Sequence, residues 1–244
     1  MRDEQARELR RLRRSLRHLG TLTDDAVPIP GAGRTMTIRR PVEIDRLLDL
    51  AARDPEQNLP YWAELWPSGI ALAGAIAAQP VLVDGRRALE LGCGLGLTAA
   101  TALAAGAALT VTDYAGDALA LTRFNCLRQT GRTPAALQTN WRAPDGPFAA
   151  LVAGGFPVVL AADVLYEARD VAPLAALVER IVTPGGLLWL AEPGRRPAAA
   201  FLDSIRAAGW AEESSAWDGP WPDPKDAGVV VTVHELRRPL DKRV

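Results

Sequence analysis

The chain has 244 residues, 48% of them hydrophobic and 23% charged, enough for one large globular domain or two small ones. Its net charge of -1 argues against nucleic acid or an anionic membrane as the main partner, and Lys225 and Lys242 are its only lysines. Two cysteines and two distant histidines are too few for a disulfide framework or a His/Cys metal cluster; carboxylate sites stay open, but no residue is singled out as a metal ligand. No run approaches about 20 apolar residues, and the N-terminus lacks the apolar core of a signal peptide, so a soluble, reducing, cytoplasmic setting is expected.

In chain order, residues 1–20 carry seven arginines against three acids, with Leu9, Leu12, Leu16 and Leu19 at helical spacing and Gly20 as a stop. The arm reads as a basic interaction segment or, better, as a solvated helix laid against the domain or a poorly ordered tail. Residues 26–41 read as a hairpin around Gly31-Ala-Gly33, and residues 42–53 as an amphipathic helix broken by Asp54-Pro55. Beyond Asn58 the chain alternates strand and helix. Strands are predicted over 87–91, 109–112, 135–139, 158–162, 187–191, 211–217 and 229–236. Helices are predicted over 70–78, 97–105, 117–129, 171–182 and 197–208, the 171–182 helix closed by Pro184-Gly185-Gly186. Strict alternation predicts an α/β, Rossmann-like doubly wound sheet of seven strands, mostly parallel, with an antiparallel last strand.

The stretch ALELGCGLGLTA, residues 88–99, reads as strand, glycine turn and helix. Gly92, Gly94 and Gly96 permit a tight turn and a close backbone approach to a ligand. A dinucleotide fingerprint wants a third glycine at the sixth position, where this chain has Leu97, so a dehydrogenase is disfavoured. Glu90 precedes the loop. Asp113 ends the next strand, 21 residues after Gly92, where an acid can accept hydrogen bonds from ribose hydroxyls. Cys93 reads as a small packed side chain.

Two aromatic stretches suit the same ligand. In PYWAELWPSG, residues 60–69, Trp62 and Trp66 are either pocket walls or core anchors, with core favoured for Trp62. In QTNWRAP, residues 138–144, Asn140 and Trp141 would flank a base, or simply form a loop with a packed indole. The strand over 158–162 ends on a carboxylate, Asp163, with a phenol at Tyr166. Taken alone, Asp163 is a good turn residue. In a doubly wound sheet it sits across the crevice from the glycine loop, which favours function.

Taken together and in order, PYWAELWPSG, LELGCGLG, VTDY, TNW and AADVLY resemble the seven-β-strand protein-lysine methyltransferases with a D-x-x-Y motif. The resemblance is strongest to the subgroup of the electron-transfer-flavoprotein β-subunit lysine methyltransferase, whose bacterial relatives are often labelled nicotinamide N-methyltransferases. It covers about residues 58–192, with a continuation to 236, and implies a class I methyltransferase domain, expected over residues 58–244; residues 1–57 match no motif of the family and read as an extension of helix, hairpin and helix. It implies S-adenosylmethionine as cofactor and S-adenosylhomocysteine as product. Glu90, Gly92, Gly94, Gly96 and Asp113 would line its methionine and ribose parts, with Trp66 at the methionine end and Ala162 presenting backbone. Asn140 and Trp141 would flank the adenine. Asp163 and Tyr166 would face the acceptor, a lysine of a protein substrate. A small nicotinamide-like acceptor and a non-catalytic binding module remain open. A nucleic-acid substrate is disfavoured because no Pro-Pro-aromatic motif follows the strand. A monomer is expected.

Overall fold

The computed structural model describes residues 2–52 and 59–241. The Asp54-Pro55 break lies outside the described residues. Helix α1 (Arg2–Ser15) runs into a short 3-10 turn that ends at Gly20. Leu12, Leu16 and Leu19 are buried, as their spacing predicts, and Leu9 packs beside them. They lie on α5 (Gly116–Thr130). Gln5 Nε2 donates to the Gly131 carbonyl at 2.9 Å, and Arg123 pairs with Glu8 at 3.1 Å. The arginine-rich arm is therefore a docked helix.

Strands β1 (Leu22–Ile29) and β2 (Arg34–Pro41) form the expected antiparallel hairpin. It starts four residues before the predicted position 26. Asp24 and Asp25 carry no strand signal of their own, but Asp24 faces Arg39 across the ladder and pairs with it, and Asp25 pairs diagonally with Arg40. Such cross-strand ion pairs extend a ladder that propensity alone would end. Helix α2 (Ile44–Ala51) follows.

The remaining chain builds one seven-stranded sheet. Its strands are β3 (Arg87–Leu91), β4 (Ala108–Asp113), β5 (Ala135–Gln138), β6 (Phe156–Ala162), β7 (Val182–Glu192), β8 (Ala211–Trp217) and β9 (Val231–Arg237), in the order β5-β4-β3-β6-β7-β9-β8. The first five in that order run parallel, and β9 is antiparallel to both its neighbours. The predicted α/β architecture and antiparallel last strand are observed. Helices α3 (Pro67–Ala78), α4 (Leu97–Ala104) and α5 cover one face. Helices α6 (Gly146–Val152), α7 (Val171–Ile181) and α8 (Arg196–Ala207) cover the other. Side chains alternate accordingly: Ala88, Val158 and Leu160 point to the first layer, and Leu89, Leu91, Val159 and Ala161 to the second.

Two local readings change. The helix predicted over 171–182 ends at Ile181, and Val182 already belongs to β7. Pro184-Gly185-Gly186 lies inside that strand rather than closing the helix. Val182 pairs with Phe156, the register then shifts, and Gly185 N–H donates to the Arg238 carbonyl at 3.0 Å. The glycines make a bulge in a strand. Helix α6 is absent from the predicted elements. Asp145 caps it by accepting from Phe148 N–H at 2.9 Å, and Phe148 and Val152 are buried.

Neighbouring strands β3 and β6 lead away in opposite directions through the sheet order. The crevice at their carboxyl ends is the switch point at which ligands bind in open α/β sheets.

Candidate active site

The loop leaving β3 is shaped by glycine. Gly92, Gly94 and Gly96 have φ of 66°, 50° and 80°, all in the left-handed region. A Cβ on Gly96 would stand 2.7 Å from Thr122 Cα, so α4 can begin there only with glycine. Gly94 N–H donates to Asp113 Oδ2 at 3.0 Å, and Ala115 N–H donates to Oδ1 at 2.9 Å. Asp113 is thus locked to the loop from the end of β4. Burial raises its carboxyl pKa against the lowering effect of the backbone amides of Ala115, Gly94 and Tyr114.

Glu90 is buried beneath the loop. Burial, reinforced by the Asp113 charge, pushes its pKa up, and its Oε2 has no hydrogen-bond partner among the described residues. Cys93 is buried as expected, and its thiol is pushed up by burial. Two clefts meet at this loop, and both are lined by Glu64, Trp66, Gly92, Gly94 and Ala162. Glu90 and Gly96 line one. Asp113, Trp141, Asp163 and Tyr166 line the other.

The structure therefore brings ten of the eleven predicted site residues to one place. The eleventh, Asn140, directs its Oδ1 to its own turn, accepting from Arg142 N–H at 3.0 Å. Its neighbour Trp141 lines the cleft. Trp66 stands just before α3 and is anchored by its indole N–H, which donates to the Tyr61 carbonyl at 2.8 Å. Trp62 packs against the core and also lines the cleft, combining the two readings of its position.

Three aromatic rings wall the outer part. Tyr61 meets Tyr166 edge-on at 5.3 Å and Trp66 at 6.0 Å. Burial, with the nearby charges of Asp170, Glu167 and Asp113, pushes the Tyr166 phenol up to about 12. It stays protonated near neutral pH.

Asp163 has φ of 54°, the only positive φ outside glycine among the described residues. Its N–H donates to the Ala191 carbonyl at 2.9 Å, across the β6–β7 boundary. Its carboxylate meets Arg195 in a two-toothed fork, Nε to Oδ1 at 2.7 Å and Nη2 to Oδ2 at 3.2 Å. Arg195, Tyr61 and Glu64 are absent from the residues singled out in the sequence. Tyr61 and Glu64 lie within a stretch already read as pocket-forming. Arg195 carries no local signal at all.

The donor set fits an adenosyl-methionine ligand. Glu90 Oε2 is buried without a partner among the described residues, Gly92 and Gly94 line both clefts, and Asp113 and Trp141 line the cleft next to that of Glu90. The comparisons agree. Residues 89–188 match the family model described as "Methyltransferase domain". The electron transfer flavoprotein beta subunit lysine methyltransferase of Danio rerio is 41% identical over 28% of this chain and 26% of its own length. That of Xenopus laevis is 31% identical over 56% and 53%. The ubiquinone biosynthesis O-methyltransferase of Bordetella avium is 28% identical over 68% of this chain and 66% of its own length. The chain thus spans about half or less of the length of the lysine methyltransferases it matches. Among solved structures, magnesium protoporphyrin IX methyltransferase from Synechocystis with bound SAM aligns with a TM-score of 0.53 at 15% identity. That alignment covers 70% of this chain and 77% of that one. The fold is that of the class I S-adenosylmethionine-dependent methyltransferases, and the match to the methyltransferase-domain model covers residues 89–188, less than half of the chain. S-adenosylmethionine is the cofactor of that class.

Proposed function

We propose that the protein is an S-adenosylmethionine-dependent N-methyltransferase whose acceptor is a lysine side chain of a protein. The observation that carries this reading is the placement of Asp163 and Tyr166 at the end of β6, facing the glycine loop across the crevice and walled by Tyr61 and Trp66. A hydrogen-bond acceptor flanked by aromatic rings suits an alkylamine, whose N–H the carboxylate accepts while the rings pack on its chain.

When bound, the cofactor supplies an electrophilic methyl group on a sulfonium. Glu90, the three loop glycines and Asp113 would hold its methionine and ribose parts, and Trp141 and Asn140 its base. Trp66 would close the methionine end and Ala162 would present backbone. The acceptor needs a neutral amine in line with the methyl group. A lysine has a pKa of about 10.4, so its neutralisation at about pH 7.4 costs about 4 kcal/mol. Asp163 would orient the amine, and the rings would exclude water around it. The similarity to lysine methyltransferases supports a protein acceptor.

The similarity to a ubiquinone biosynthesis O-methyltransferase favours a second reading, transfer to a small molecule in the same cleft. Methyl-labelled S-adenosylmethionine, incubated with the protein and a lysate of its own source, separates the two. A labelled protein band, lost with Asp163→Asn, is the expected result. Label in the small-molecule fraction alone would replace the lysine reading with the second one. The working location proposed is the cytoplasm; no helix among the described residues is long and apolar enough to cross a membrane.

A further inference from the structure

A carboxylate beside an acceptor amine poses a chemical difficulty. Alone, it stabilises the ammonium form, which has no lone pair to attack with. The chain places a cation on that carboxylate. Arg195 engages both oxygens of Asp163, whose side chain is 7% exposed, while the arginine itself is 36% exposed. This arginine is fixed from three directions. Glu192 Oε2 accepts from the backbone N–H of Gly194 at 2.6 Å and of Arg195 at 3.0 Å, pinning the turn before α8. The guanidinium lies 6.0 Å from the centre of the Trp66 ring. Asp163 in turn is held by its left-handed backbone and its bond to Ala191.

We propose that Arg195 is a positioning residue for the acceptor. By pairing with both oxygens of Asp163, it leaves a carboxylate that still accepts a hydrogen bond from an amine but no longer holds that amine as an ammonium. An ionised carboxylate has about four acceptor positions, and a two-toothed guanidinium occupies two of them. The others remain for an N–H of the incoming amine. The pair as a whole is neutral, so the pull of Asp163 on a proton is cancelled where the amine must lose one. The inference rests on the amine-acceptor reading above.

The other charges facing the pair are few. Glu192 lies behind Arg195, and the Tyr61 phenol is close to its guanidinium. Asp226, in the β8–β9 loop, is near enough to Asp163 for the two carboxylates to repel. Lys225 of the same loop is bound to Glu64 at 2.6 Å and lies 5.9 Å from the Trp66 ring. No second arginine takes over the fork among these groups, so loss of Arg195 exposes Asp163.

The test uses the full chain and n-butylamine, an analogue of the lysine side chain, titrated by calorimetry near neutral pH where the probe is an ammonium. Arg195→Gln is expected to bind it about tenfold more tightly than the parent protein, and Asp163→Asn/Arg195→Gln to lose that gain. In methyl transfer to an amine acceptor, the rise of kcat with pH, which reports the bound amine, should move about one unit upward in Arg195→Gln and return in the double variant. Arg195→Lys, which keeps the charge but not the fork, should fall between. Equal butylammonium affinity in the parent and Arg195→Gln would overturn the proposal, as would a gain that survives in the double variant. If the parent methylates no amine, the functional reading fails while the butylammonium comparison still decides the role of Arg195.

Discussion

Gly94 N–H donates to Asp113 Oδ2 at 3.0 Å, tying the loop after β3 to the end of β4 across 19 positions of sequence. One carboxylate thereby fixes the shape of the cradle. Asp113→Ala leaves the amides of Gly94 and Ala115 without their acceptor, a loss of about 1–3 kcal/mol for a buried group. The expected outcome is a fall of roughly 10- to 100-fold in S-adenosylmethionine affinity by calorimetry. Unchanged affinity would show that the cradle holds its shape without this bond.

At Gly96 the constraint is steric. Its φ is 80° and a Cβ would meet Thr122 Cα at 2.7 Å, backbone that cannot move aside cheaply. Gly96→Ala should destabilise the fold by about 1–3 kcal/mol from the left-handed strain alone. Denaturant midpoints of the two proteins measure this. Gly31 is the control: its φ is 69°, but nothing lies within 4 Å of a Cβ there, so Gly31→Ala should be milder.

Asp163 occupies the left-handed region, which asparagine tolerates better than alanine. Asp163→Asn should therefore fold normally and retain S-adenosylmethionine binding, while methyl transfer falls by about 100-fold. Full turnover by this variant would remove the case for the charge at this position.

The His234 imidazole makes stability depend on pH. It is buried, its Nδ1 2.7 Å from Glu212 Oε1 and its Nε2 3.5 Å from Glu192 Oε1, and both oxygens accept from the protonated ring. Burial lowers its pKa, but the hydrogen bonds and charges of Glu192 and Glu212 outweigh this and raise it above 6.5. The stabilisation is therefore complete below pH 6.5 and is lost as pH rises through the higher folded value. Both glutamates are lowered from 4.5. The Arg206 bond dominates the shift of Glu212, and at Glu192 the bonds from His234 and the loop amides overcome burial. Their contribution is present above 4.5 and fades as pH falls through the depressed values. Urea midpoints should fall on both sides of this window, and His234→Gln should flatten the alkaline side. An alkaline side unchanged by the substitution would rule out His234 as its source.

Much of this is legible in the sequence, for identifiable reasons. β6 is a continuous apolar run, as a strand covered on both faces must be, and Leu12, Leu16 and Leu19 keep strict helical spacing. The glycine loop announces itself because only glycine adopts those φ values readily. The β7 start is illegible because Pro184-Gly185-Gly186 is the same signal whether it ends a helix or bulges a strand; only the pairing of Val182 with Phe156 decides. Arg195 is illegible for a different reason. Pro193-Gly194-Arg195-Arg196 looks like any solvated turn, and its partner lies 32 positions away. The sheet order alone, β6 beside β7, brings the two ends together.

The place of β9 carries a consequence for biosynthesis. It lies between β7 and β8, so neither of those strands has its neighbour on that side until residues 231–237 have been made. A nascent chain halted before that point presents two open strand edges, one of them the apolar β7, which invites pairing with another chain. In the finished sheet the outer edge is β8, AEESSAW, whose Glu213, Ser214 and Ser215 are exposed and discourage such pairing. The same late insertion that completes the sheet also hides its stickiest border, so aggregation during synthesis should concentrate in chains truncated before β9.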